Sequence, residues 1–200
     1  MSSPVTVLLR DRNHALVEAW RRSFSDAEHV QVSQGDIFFG VKADAIVSPA
    51  NSFGFMDGGI DLVYSERFGM GLEASLRRML AEQHGGELPV GSAVLVQTGA
   101  SDIPWMVSAP TMRVPGPVPN TLNAFLAFRA ALRVVVSHNE NASGARIGSV
   151  LCPGLASAIG GMPPGRCARQ MRVAYDAVLG GRPWPGTAGM IYKTHAAMLE

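Results

Sequence analysis

The stretch ADAIVSPANSFGFMDGGID, residues 43–61, decides how this chain folds. Its first part carries the apolar centre Ala45-Ile46-Val47 of a buried strand and ends at Pro49-Ala50-Asn51. A short apolar run closed by such residues fits a strand covered on both faces. The second part is glycine-rich and opens into a helical stretch, with Leu72, Leu76, Met79 and Leu80 at helical spacing. A strand, a glycine-bearing turn and a helix form the repeating unit of parallel sheets.

The same alternation continues outward in both directions. Upstream, VTVLL (5–9) is another buried-type run, and Asp11 then precedes a helical pattern at Ala15, Leu16, Ala19, Trp20 and Phe24. HVQVS (29–33) alternates like a strand and ends at Gly35-Asp36. Downstream, SAVLVQT (92–98), WMVSAPT (105–111) and IGSVLCPGL (147–155) predict three more strands. Five prolines between residues 104 and 119 make that passage an extended loop. Helices are expected over about Thr121–Val136, then along Cys167, Met171, Ala174, Tyr175, Val178 and Leu179, and briefly from Met190 to Glu200. The reading is an α/β fold: a three-layer α/β/α sandwich around a mixed, mostly parallel sheet of about six strands. Residues 1–200 read as one domain, with 1–28 a βα unit added at an edge of the sheet and 181–200 a candidate C-terminal appendage.

Composition narrows the functional classes. Of 200 residues, 47% are apolar and 16% charged, which excludes a disordered or fibrous chain. The net charge of +1 supplies no global field for nucleic acid or anionic membrane, so sequence-specific nucleic-acid binding is not expected. The longest apolar stretch, Leu122 to Val136, is interrupted by Arg129 and Arg133 and cannot span a bilayer. Two cysteines, Cys152 and Cys167, form no disulfide framework, and the start MSSPVTVLLRDR is not a secretory signal. A cytoplasmic monomer is the expectation. The histidines at 14, 29, 84, 138 and 195 are scattered, so no metal site is expected.

Ligands of open α/β sheets sit beyond the carboxyl ends of the strands. Three such ends carry small or polar residues here: Gly35-Asp36-Ile37, Pro49 through Asp61, and Pro153 through Met162. The last two lead into helices, where backbone N–H groups converge on an anion and glycine lets phosphate oxygens approach. Either these glycines build a nucleotide or phosphate site, or they only make turns.

GDI (35–37), ADAIVSPAN (43–51), GGID (58–61) and PGLASAIGGMP (153–163), in that order, resemble the macrodomain, an ADP-ribose-binding module. The resemblance covers about residues 30–180 and implies a role at each matching position. Asp36 would accept from the adenine amine and the Ile37 N–H would donate to the same ring. Asn51 would bind the distal ribose hydroxyls, with Ala50 and Met56 beside it, and Gly58, Gly59 and Ile60 would wrap that ribose and one phosphate. Ser157, Ala158, Ile159, Gly160 and Gly161 would donate backbone N–H groups to the diphosphate, and Met162 would close the pocket.

Gly59-Ile60-Asp61 is similar to the loop of MacroD-type hydrolases, which implies that Asp61, with Asn51, positions or activates a water. In the bland alternative, Asp61 is a first-turn helix residue stabilised by the macrodipole. The resemblance therefore implies release of ADP-ribose from ADP-ribosylated protein, nucleic acid or a small ADP-ribose ester, without metal or cofactor; the alternative is a reader that binds without turnover. Two departures weigh on the enzyme reading. Asp57 adds a second carboxylate to the first loop, and Gly160 stands where an aromatic residue usually lies, which implies an open lid. No strand is evident after Gly180, and no adenine-stacking aromatic is assignable.

Overall fold

A computed structural model describes residues 5–141, 145–182 and 184–200. Residues 1–4 of the expected N-terminal unit and Pro183 of the expected appendage lie outside the described residues. Six strands form the sheet: β1 (Thr6–Asp11), β2 (Val30–Gln34), β3 (Ala45–Ser48), β4 (Val94–Gln97), β5 (Trp105–Ser108) and β6 (Ser149–Cys152). Their order is β2-β1-β6-β3-β5-β4, with every neighbouring pair parallel except β4–β5. The mixed, mostly parallel sheet is thus the one expected.

Six helices complete the layers: α1 (His14–Ser23), α2 (Gly59–Phe68), α3 (Gly71–His84), α4 (Asn123–Asn141), α5 (Pro164–Val178) and α6 (Ala188–Leu199). Strand alternation sorts the side chains into two cores. Ala45, Val47, Val107, Val150 and Cys152 pack against α1, α4 and α5, whereas Ile46, Met106 and Leu151 pack against α2 and α3. The indole of the fully buried Trp20 on α1 donates to Met171 Sδ on α5 at 3.3 Å, so this polar tip is not orphaned in the first core.

The N-terminal strand is not the added edge that was expected. β1 lies inside the sheet, paired with β2 on one side and β6 on the other, and β2 takes the edge. In VTVLL, Val5, Val7 and Leu9 are buried on one face and Leu8 packs half-buried on the other, so both faces of β1 carry apolar side chains, whereas β2 exposes Gln31 and Gln34. The helix expected after the glycine-rich segment is two helices, broken at Gly69-Met70-Gly71, where Gly69 adopts a φ of 90°. The C-terminal helix α6 docks through Met198, which is buried and whose carbonyl accepts from Gln170 Nε2 at 3.1 Å. Among the described residues, no helix is long and apolar enough to cross a membrane.

Candidate functional site

At the carboxyl ends of β1, β3, β5 and β6 the chain encloses a cavity of about 460 Å³. That volume lies within the range of small-molecule sites. One wall is the segment from Pro49 to Asp61, and the facing wall is the segment from Pro153 to Gly160. Asp11 and Asn13 close one side, and Thr111, Met112 and Pro115 line another.

The first wall is held by Asn51. Its Oδ1 accepts from the N–H groups of Phe53 at 3.0 Å and Phe55 at 3.3 Å, and its Nδ2 donates to the Phe55 carbonyl at 2.8 Å. This leaves one of the carboxamide's two N–H donors for a ligand. After this turn, α2 begins at Gly59, and the preceding cap residue, Gly58, has no side chain to cap it. Among the described residues, the N–H groups of Gly59, Ile60 and Asp61 therefore have no protein acceptor.

The second wall is a loop folded tightly on itself. Met162 N–H donates to Ala156 O at 2.9 Å, Gly161 N–H to Ala158 O at 3.0 Å, and Val118 N–H to Gly160 O at 2.8 Å. Between these anchors, the N–H groups of Ser157, Ala158, Ile159 and Gly160 donate to no acceptor among the described residues. Successive unpaired N–H groups in a tight loop make a concavity for an anion. Glycine is required at its turning points. A Cβ at Gly160 would lie 2.4 Å from the Ala156 carbonyl oxygen, and one at Gly154 would lie 2.3 Å from Ser157 Oγ. No aromatic lid fits at residue 160; Ile159 instead reaches across, its Cδ1 3.5 Å from where a Gly59 Cβ would be.

Asp61 joins the two halves of the chemistry. It sits in the first turn of α2, on the cavity wall, yet is only 7% exposed. Ser48 at the end of β3 donates to its Oδ1 at 2.6 Å. Burial pushes the Asp61 carboxyl up to about 6, while the Ser48 hydrogen bond pulls it down. Asp11, Asp57 and Asp61 all line the cavity, and among the described residues no lysine or arginine does. Backbone N–H groups are therefore the positive ends offered to an anionic ligand.

Ten of the residues singled out in the sequence line this cavity: Ala50, Asn51, Gly58, Gly59, Ile60, Asp61, Ser157, Ala158, Ile159 and Gly160. Met56, Met162, Gly161, Asp36 and Ile37 do not. Met56, expected beside Asn51, and Met162, expected to close the pocket, instead sit in the two cores, 1% and 2% exposed. Ile37 is likewise a core residue. Asp36 lies outside the cavity lining: its Oδ1 accepts from Phe38 N–H at 2.9 Å and its other oxygen pairs with Arg12. The Phe38 N–H and then the Arg12 guanidinium hold the Asp36 carboxyl below the ordinary carboxylate range.

Asp11, Asn13, Phe55, Met112 and Ala156 are cavity residues that the sequence reading passed over. Asp11 and Asn13 follow an apolar strand, the same signal that marked the other strand ends. Arg113 is bidentate to Glu87 at 2.8 and 3.0 Å, and burial pushes the Cys152 thiol far up, away from any nucleophilic role.

The sequence profile of the Macro domain matches residues 47–171 of this chain. The chain belongs to the macrodomain family. An uncharacterized protein of Aeropyrum pernix is 35% identical over 154 residues, covering 77% of this macrodomain and 73% of that relative. Among solved structures, the macrodomain of Mycobacterium tuberculosis DarG superposes with a TM-score of 0.60 at 21% identity, over 74% of this chain and 90% of that one. A mutant Oceanobacillus iheyensis macrodomain with ADPR superposes with a TM-score of 0.57 at 19% identity, over 78% and 84%. At such identities, the two structures establish the fold of this macrodomain.

Proposed function

We propose that this macrodomain binds ADP-ribose and hydrolyses mono-ADP-ribosyl adducts, releasing ADP-ribose. One observation carries the reading: a buried carboxylate, Asp61, faces the same cavity as the unpaired N–H groups of Ser157 to Gly160. The N–H array suits a diphosphate, and the uncapped start of α2 adds three more donors near it. The mutant Oceanobacillus iheyensis macrodomain structure with ADPR supports the choice of ligand.

In this reading, the distal ribose rests between Asn51 and the Gly58-Gly59-Ile60 turn. Asp61 accepts a proton from a water as the water oxygen bonds to the anomeric carbon. The bond from that carbon to the adduct oxygen or nitrogen breaks, and its electron pair leaves with the adduct. Burial supplies what a base needs, since a carboxyl raised to about 6 takes a proton more readily than an ordinary one and is still ionised at neutral pH. In this reading the adenine extends past Asn13 toward Asp36, whose partner Arg12 lies between the cavity residues Asp11 and Asn13 in the sequence.

A second reading, a binder without turnover, is favoured by Asn51, most of whose carboxamide is spent on holding its own turn. Incubation with protein mono-ADP-ribosylated at acidic residues, followed by detection of free ADP-ribose, separates the two. Asp61→Ala is expected to lower turnover by roughly 100-fold or more, the scale of a general base, while calorimetry shows ADP-ribose affinity held or improved. Wild-type protein that binds ADP-ribose but releases none from any ester-, arginine- or nucleic-acid-linked adduct would leave only the binder.

A further inference from the structure

We propose that Ser48 is a positioning residue for this reaction: its hydroxyl fixes one oxygen of Asp61 so that the other is the atom presented to water. The inference rests on Asp61 being the base.

Ser48 closes a strand whose preceding residues, Ala45, Ile46 and Val47, are all apolar and fully buried. A hydroxyl at that depth costs stability unless it is paired. Its partner is Asp61 Oδ1 at 2.6 Å, and among the described residues this is the single side-chain hydrogen bond of either group. The backbone at Ser48 cannot swing away, because its carbonyl accepts from Ala109 N–H at 3.0 Å within the β3–β5 pairing. The strand therefore aims the hydroxyl, and the hydroxyl sets the carboxylate plane.

The surroundings leave this contact little competition. Asp11 at the end of β1 and Asp57 in the preceding loop face the same cavity, and neither donates to Asp61. Tyr64 on α2 donates to the Val47 carbonyl at 3.1 Å, and Cys152 at the end of β6 bonds the Pro153 carbonyl. Burial pushes both Tyr64 and Cys152 upward, so both stay neutral through the neutral range. Ser108, the register partner of Ser48 on β5, is buried with no partner for its Oγ among the described residues, and so offers a matched control.

A bond that favours the ionised carboxylate has a signature that mere packing lacks. The test is the pH dependence of turnover for wild type, Ser48→Ala, Ser108→Ala and Asp61→Ala, with adduct hydrolysis as the readout. Ser48→Ala is expected to move the acid limb upward by about one pH unit and to lower kcat about tenfold, with KM changed less than twofold. Ser108→Ala is expected to leave the limb in place. If Ser48→Ala does not fold, Ser48→Cys, of similar volume but weaker as a donor, is expected to move the limb in the same direction. An Asp61→Ala variant that is inactive beside a Ser48 variant with an unmoved limb would overturn the role of Ser48 alone. An Asp61→Ala variant with full turnover would overturn the base assignment and the positioning role with it.

Discussion

Asp11 Oδ2 accepts the Gly154 N–H at 3.0 Å, a contact between residues 143 positions apart. It ties the end of β1 to the first turn of the loop that carries the unpaired N–H groups. The Asp11 side chain also accepts from Asn13 N–H at 2.8 Å, so one carboxylate orders both the loop and the start of α1. The geometry of the candidate site therefore depends on a segment outside the residues matched by the family profile.

Stability should depend on pH through Asp61. Its carboxyl is raised in the folded chain from 3.8 to about 6, so the folded state binds this proton more tightly than the unfolded state. The resulting stabilisation is fully present below the unfolded value and is lost as pH rises through about 6. Asp61→Asn removes the effect. Urea unfolding is expected to show the variant gaining roughly 2–3 kcal/mol on wild type between pH 4 and pH 7.5. A difference that stays flat across that range would mean that Asp61 is not a buried, ionising group.

The loop at Gly160 should not tolerate a methyl group. The Cβ of Gly160→Ala would meet the Ala156 carbonyl oxygen at 2.4 Å, and backbone does not yield as a side-chain tip does. Overpacking of this kind costs about 1–3 kcal/mol, which for a chain of this size lowers Tm by about 5 °C. ADP-ribose affinity is expected to fall at least tenfold, because the N–H groups lose their common focus. Gly58→Ala, with open space around the added atom, is expected to change Tm far less. Thermal unfolding and calorimetry on the two variants decide the matter; equal behaviour would count against the tight-loop account.

Asp36, outside the cavity lining, should discriminate bases. A carboxylate accepts from an amine and repels a carbonyl, so ADP-ribose is expected to bind about tenfold more tightly than IDP-ribose. Asp36→Ala is expected to narrow that gap by weakening ADP-ribose binding, although it also releases Arg12. Equal binding of both ligands to wild type would remove Asp36 from base recognition.

Much of this architecture was legible in residues 43–61 and in the strand ends like them. The six strands and both glycine-rich walls follow from apolar runs that stop at small residues. The interior place of β1 was not legible: Leu8 gives the strand a second apolar face, but local pattern does not say which strands are neighbours. Met56 and Met162 were misplaced because a lone apolar residue in a loop has no periodicity to say which way it points. Ser48 was missed for the opposite reason. As the last residue of a buried strand it reads as an ordinary strand end, and only the return of α2 brings Asp61 within reach.

The interior position of β1 also orders events in time. As the chain is made, β1 can pair with β2 almost at once, but its other neighbour, β6, is a late segment of the chain, with Thr6 opposite Ser149. Until then one edge of β1 holds unpaired amides that any foreign strand can meet. Pairings between distant segments are slow to form, and unfinished sheets of this kind are where aggregation starts. A nascent chain stalled before β6 would hold its earliest strand open to the crowd of the cell.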